Sequence, residues 1–144
     1  MRGPLFRRAP RTVVAAAVLG LLAACSPSPT PTGPVISVTE KDFAISAPAS
    51  IPEGGEVTLS VTNQGPATHE FVVVRSDLPA DQLPIGPDGL SVDEDAVTHI
   101  GEINQVDLGT TEAVRLSLPP GRYVFFCNLA GHYLGGMHTA LVVS

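Results

Sequence analysis

Basic residues are nearly missing from most of this chain. After residue 24 only Lys41, Arg75, Arg115 and Arg122 stand against fourteen Asp and Glu, a net charge of −10 with histidine neutral. Nucleic acid and anionic lipid both demand a clustered basic face, so the charge argues against either as a partner. Cysteine is scarcer still: Cys25 and Cys127 are the whole supply. The long apolar run at Val13–Ala24 has twelve residues, short of the roughly 18 to 20 that a transmembrane helix needs. The chain also lacks any His-x-His pair, any Met-rich or His-rich tract, any internal repeat and any convincing amphipathic helix. The missing tracts argue against a metal relay by ligand hand-over, and the missing helical period argues for an all-β chain.

What stands at the N-terminus is an address. Arg2, Arg7, Arg8 and Arg11 precede the apolar run, the layout of a secretory signal peptide over 1–24. It ends in "LAAC", which resembles the lipobox of bacterial lipoproteins and implies that Cys25 is lipidated and heads the mature chain. "SPSPTPTGP" follows, with four prolines and no large apolar side chain. Residues 25–34 therefore read as a tether, extended at about 3.1 Å per residue and holding the domain within roughly 28 Å of the membrane. The expected location is extracytoplasmic, anchored through Cys25. Lipidation leaves Cys127 with no intrachain disulfide partner in an oxidising compartment, so that thiol is either protected by burial or used for chemistry.

Residues 35–144 form one small domain. "EVTLSVTN" alternates Val57, Leu59 and Val61 with Thr58, Ser60 and Thr62, the period-2 pattern of a half-buried strand. "VISVTEKDFAISA", "HEFVVVR", "TEAVRLSL", "RYVFFC" and "HTALVVS" supply further β-rich runs, separated by turns such as "NQGPAT" and "PPG". The pattern predicts a Greek-key β-sandwich of six to eight strands. Ser76 to Asn104 reads as a Pro-, Asp- and Gly-rich excursion with one short helix around Val92–His99.

The informative stretch is "YVFFCNLAGHYLGGMHTALVV". Strand alternation puts Tyr123, Phe125 and Cys127 on one face and Val124 and Phe126 on the other. A loop with Gly131, Gly135 and Gly136 then returns His132, and Met137 starts the next strand. These three residues are either ordinary core filler or ligands of a soft metal: thiolate, imidazole and thioether suit copper rather than magnesium or calcium. His69, opening "HEFVVV", offers a second imidazole and would complete a His₂Cys plane with an axial Met. His99 reads as a surface histidine, and His138 as an exposed neighbour pointing away from Met137.

These residues carry a family resemblance. "YVFFCNLAGHYLGGM" is similar to the aromatic-x-aromatic-x-Cys strand and Cys-x4-His-x4-Met loop of the cupredoxins, the type 1 copper family of plastocyanin, amicyanin, azurin and sulfocyanin. The loop is like azurin's before the histidine and like plastocyanin's after it. "NQGPATHEFVVV" resembles the strand that brings the upstream histidine. The resemblance implies a cupredoxin-like sandwich holding one copper ion, Cu(II)/Cu(I), with His69, Cys127 and His132 equatorial and Met137 axial. Glu70 departs from the Asn common after the first histidine, and His138–Thr139 from the glycine common after the Met.

Larger relatives do not fit: Gly131 stands where a dinuclear copper site needs a second cysteine, and multicopper oxidases need His-x-His pairs. Four protein ligands leave no place for substrate, so the expected role is an electron carrier and not an enzyme. His132 is the expected electron port, with Leu129, Ala130, Tyr133 and Leu134 as an apolar docking patch around it. The domain is expected to be a monomer whose acidic surface steers a basic redox partner, such as a cytochrome or a membrane oxidoreductase. The alternative functions are copper binding and delivery at the envelope, or a metal-free adhesion module.

Overall fold

The computed structural model describes residues 33–144; the expected signal peptide, Cys25 and most of the tether lie outside the described residues. Nine strands form two packed sheets: β1 (Val35–Lys41), β2 (Ala44–Ser46), β3 (Ser50–Ile51), β4 (Gly55–Asn63), β5 (His69–Arg75), β6 (Thr98–Val106), β7 (Thr111–Leu118), β8 (Gly121–Phe126) and β9 (His138–Val143). The four-stranded sheet runs β2-β1-β4-β7 and the five-stranded sheet β3-β9-β8-β5-β6. The strand count exceeds the expected six to eight because "VISVTEKDFAISAPASI" breaks into three pieces. A two-residue turn at Asp42–Phe43 folds β2 back on β1, with Lys41 opposite Ala44. Beyond Pro48, β3 crosses to the other sheet and pairs with β9.

The core between the sheets follows from the alternation. Ile36 and Val38 of β1, Val57, Leu59 and Val61 of β4, and Leu118 of β7 face Phe71 and Val73 of β5, Tyr123 and Phe125 of β8, and Leu141 of β9; all are buried. Each such side chain contributes about 1.5–3 kcal/mol by leaving water. The Tyr123 hydroxyl donates to the Pro119 carbonyl at 2.6 Å, which satisfies this polar tip.

The excursion is shorter than expected and has a packing role. Its last seven residues, from Thr98, belong to strand β6, which pairs with β5 with two register shifts. The expected helix shrinks to one 3-10 turn, Glu94–Ala96, whose start is capped by the Asp93 carboxylate accepting from the Asp95 amide. The β-branched Val97, Thr98 and Ile100 favour strand over a longer helix. Residues 77–93 fold across the outer face of the five-stranded sheet, where Leu83 and Val92 bury Val72, Val74, Val124 and Phe126 together with Tyr133. Strands β5 and β8 are thus covered on both faces, which explains why "FVVV" and "YVFF" are unbroken apolar runs. No helix among the described residues is long and apolar enough to cross a membrane.

Candidate metal centre

His69 opens β5 and is fully buried. The loop before it is held by Asn63, the last residue of β4 and the next inward position after Val57, Leu59 and Val61. The buried Asn63 amide donates to the Ala67 and Val106 carbonyls at 2.7 and 2.8 Å, and its oxygen accepts from the Gly65 amide at 2.9 Å. Asn63 was not foreseen as a site residue, though a polar residue in phase with three core positions is a signal for it.

Cys127 follows β8, with its side chain directed into the sandwich alongside Tyr123 and Phe125 as alternation requires. Its amide donates to the Met137 carbonyl at 3.1 Å, and the Met137 amide donates to the His132 carbonyl at 3.0 Å. Those two bonds close the Cys–His–Met loop on itself. Gly131 (φ +81°) and Gly136 (φ +104°) make the reversals, in backbone regions where other L-residues are strained. Asn128 anchors the loop from outside: it accepts from the Val92 amide at 2.7 Å and donates to Glu94 at 2.7 Å.

The donor atoms of His69, Cys127 and His132 lie within 4.8 Å of one another. Cys127 Sγ is 3.5 Å from His132 Nδ1, and the two imidazole rings meet edge-on with centroids 5.3 Å apart. Met137 is fully buried in the same core cluster as Cys127. The structure therefore brings His69 to Cys127 across 58 positions of sequence. The Glu70 amide donates to Cys127 Sγ at 3.4 Å, so this contact to the sulfur comes from the main chain whatever the side chain at 70. The Glu70 carboxyl is pushed up by burial and then by the charges of Glu94 and Glu102.

Electrostatically the pocket asks for a cation. Burial pushes the Cys127 thiol up to about 11, against the lowering effect of the Glu70 and Leu129 amides, so the sulfur alone stays protonated at neutral pH. Burial also pushes His69 down, followed by repulsion from His132 and opposed by Asp42. Both His69 ring nitrogens are buried with no aligned hydrogen-bond partner. Leaving a buried polar atom unpaired costs about 1–3 kcal/mol, and a soft cation shared with the thiolate would satisfy that orphan. The residues fit a copper ion on this ground.

Three expectations about individual residues are revised, for Tyr133, His138 and Phe43. Tyr133 is not part of an exposed patch: it is buried, donates its hydroxyl to the Ala80 carbonyl at 2.8 Å and accepts from the Leu83 amide at 2.8 Å. The tight glycine loop turns its ring under the loop against Phe126, while Leu129, Ala130 and Leu134 remain exposed. His138 is half-buried, its ring 5.1 Å from Tyr133. His99 is exposed at the sheet edge, as expected of a surface histidine, and pairs with Glu102 at 3.3 Å with Glu94 beside them. Phe43, read as part of a strand, sits in the β1–β2 turn with its ring 5.5 Å from that of His132 and half exposed.

The sulfocyanin (SoxE) domain family matches residues 39–144. Among solved structures, reduced auracyanin from the photosynthetic bacterium Roseiflexus castenholzii superposes with a TM-score of 0.58 at 23% identity, over 80% of this chain and 99% of that one. Auracyanin A, described as a "blue" copper protein of Chloroflexus aurantiacus, gives 0.56 at 23% identity over 78% and 100%. Rusticyanin from Thiobacillus ferrooxidans gives 0.56 at 16% identity over 78% and 79%. No curated protein sequence matches significantly.

Proposed function

Since the chain belongs to the sulfocyanin family of cupredoxins, whose cofactor is one copper ion, we propose that it is a membrane-tethered carrier of single electrons outside the cytoplasm. Cupredoxins in general are blue copper electron-transfer proteins rather than enzymes. In this reading His69, Cys127, His132 and Met137 would hold the metal. The bound ion would supply a Cu(II)/Cu(I) couple. The chain's own residues do the rest: the buried strand ends fix the donors, the apolar core keeps water out, and the rigid loop limits rearrangement between oxidation states.

The observation that carries this reading is two imidazoles and a disulfide-free buried thiol with donor atoms within 4.8 Å of one another. Exchange with a partner would pass through His132, whose ring meets that of the half-exposed Phe43 and whose loop carries the exposed Leu129 and Leu134. An apolar rim of this kind favours brief docking. The acidic surface favours a basic partner of the cytochrome or membrane-oxidoreductase kind. Lipidated Cys25 would keep the domain at the membrane.

The test is copper loading of the purified protein. A strong visible thiolate-to-copper band is expected, with reversible one-electron voltammetry and loss of the band in Cys127→Ser. A band that survives Cys127→Ser, or tight Cu(I) binding without reversible oxidation, overturns the carrier.

A further inference from the structure

The turn between β1 and β2 touches both imidazoles. Phe43 is the one non-glycine residue with positive φ (+59°) among the described residues, a conformation costing about 1–2 kcal/mol. Such a strained residue persists only where its surroundings enforce it. Here the Phe43 ring rests against His132 and over Gly135, where an added Cβ would lie 2.3 Å from the ring. The same turn places Asp42 Oδ1 3.2 Å from His69 Nε2. Gly65 makes the room: a Cβ there would stand 2.8 Å from the Asp42 amide nitrogen and 3.0 Å from His69 Nε2. Two glycines from separate loops thus leave space for one turn.

The Asp42 contact is incomplete as it stands. Oδ1 is shielded from solvent, but it and Nε2 are not aligned as a hydrogen bond and neither has another partner. Nε2 faces the carboxylate, which leaves Nδ1 as the nitrogen free for a metal. A metal on Nδ1 puts the ring's remaining proton on Nε2, opposite Oδ1.

Building on the copper reading, we propose that Asp42 is a positioning residue of the centre: its carboxylate holds the His69 ring through Nε2 with Nδ1 toward the metal, and its negative charge favours the oxidised ion. A carboxylate behind a ligating imidazole makes it a stronger donor and stabilises the more positive metal. The competing role is plain turn chemistry, since Asp is common in two-residue turns. Asp42→Asn separates the two, because Asn serves the turn equally well and carries no charge.

At a fixed redox poise and ionic strength, copper-loaded Asp42→Asn should show a reduced-to-oxidised ratio roughly three to ten times higher than the parent, by loss of one nearby charge. Its visible band should persist, and Asp95→Asn, an exposed acid in the 3-10 turn, should leave the ratio unmoved. In the zinc-loaded parent, NMR should show a slowly exchanging His69 Nε2 proton, lost in Asp42→Ala. An unchanged ratio in Asp42→Asn with the band intact, or a freely exchanging Nε2 proton in the parent, overturns the role of Asp42 and leaves the copper reading standing. Absence of the band in the parent overturns both.

Discussion

Replacing Glu40 by glutamine should remove a steep pH dependence of stability. Glu40 stands on β1 in phase with the core residues Ile36 and Val38, and it is 0% exposed. Neither carboxyl oxygen has a hydrogen-bond partner. Burial alone pushes its pKa from 4.5 to about 8, so the folded protein holds this proton at pH values where the unfolded chain has lost it. The native state then binds more protons than the unfolded state between these limits, and stability falls as pH rises. Below 4.5 both states are protonated and the loss is nil; above 8 it is complete. Over that interval, at about 1.4 kcal/mol per pH unit, the loss amounts to about 5 kcal/mol, a large part of a small domain's total stability.

The Glu40→Gln side chain keeps the shape and polarity of the neutral acid but has nothing to ionise. Urea unfolding of metal-free protein, extrapolated linearly to zero denaturant at several pH values, should give equal stabilities for parent and variant at pH 4.5. By pH 8 the variant should lead by about 3–5 kcal/mol. Other groups, among them Glu70, pushed up, and His69, pushed down, also shape the parent curve, but they are common to both proteins and cancel in the difference. Curves that run parallel from pH 4.5 to 8 would refute the claim that this carboxyl is buried and unpaired.

Asn63→Ala would leave the Ala67 and Val106 carbonyls and the Gly65 amide unpaired, for a loss of about 2–4 kcal/mol in urea unfolding and weaker zinc or copper binding, because the loop that delivers His69 loses its anchor. Gly135→Ala forces the Phe43 ring away by placing a Cβ 2.3 Å from it. It should cost about 1–3 kcal/mol, and the double variant with Phe43→Ala should recover most of that loss in a double-mutant cycle.

Much of the centre was legible because it is written in local pattern. Period-2 alternation fixes which way the Cys127 sulfur points, and the glycine spacing requires the chain to bring His132 and Met137 back beside it. His69 could be named only through the chemistry of the missing second imidazole and the family resemblance of "NQGPATHEFVVV", since nothing local links positions 69 and 127. The turn at Asp42–Phe43 was not legible: "KDFA" carries no glycine, and a Phe with positive φ follows from tertiary contacts with His132 and Gly135 rather than from propensity. Tyr133 was misplaced for the complementary reason. Its partners Ala80 and Leu83 lie in the excursion, whose packing onto the outer sheet face cannot be inferred from a Pro- and Asp-rich composition. The same long-range covering accounts for the two-sided burial of β5 and β8.

The buried polar side-chain atoms that lack partners among the described residues belong to Glu40, Asp42 and His69 alone. Two of the three come from the end of β1 and its turn, and the third from the start of β5 beside that turn. A domain that satisfies Asn63, Tyr123 and Tyr133, yet leaves these three unsatisfied, has its local conflicts concentrated around His69, where a ligand would resolve those of His69 and Asp42. A cation on His69 Nδ1 completes that nitrogen and orients Nε2 toward Asp42, while the same charge lowers the Cys127 thiol that burial holds at about 11. Glu40 keeps its unpaired oxygens in either state, but its charge pushes the Cys127 thiol upward, and a cation bound to the sulfur draws the Glu40 acid the other way. Metal binding should therefore stabilise the fold by more than mass action on a preformed cage, and Glu40→Gln should narrow the gap between metal-free and metal-loaded protein at pH 8 while leaving it unchanged at pH 4.5. An equal gap at both pH values in parent and variant would show that Glu40 and the centre are electrostatically independent.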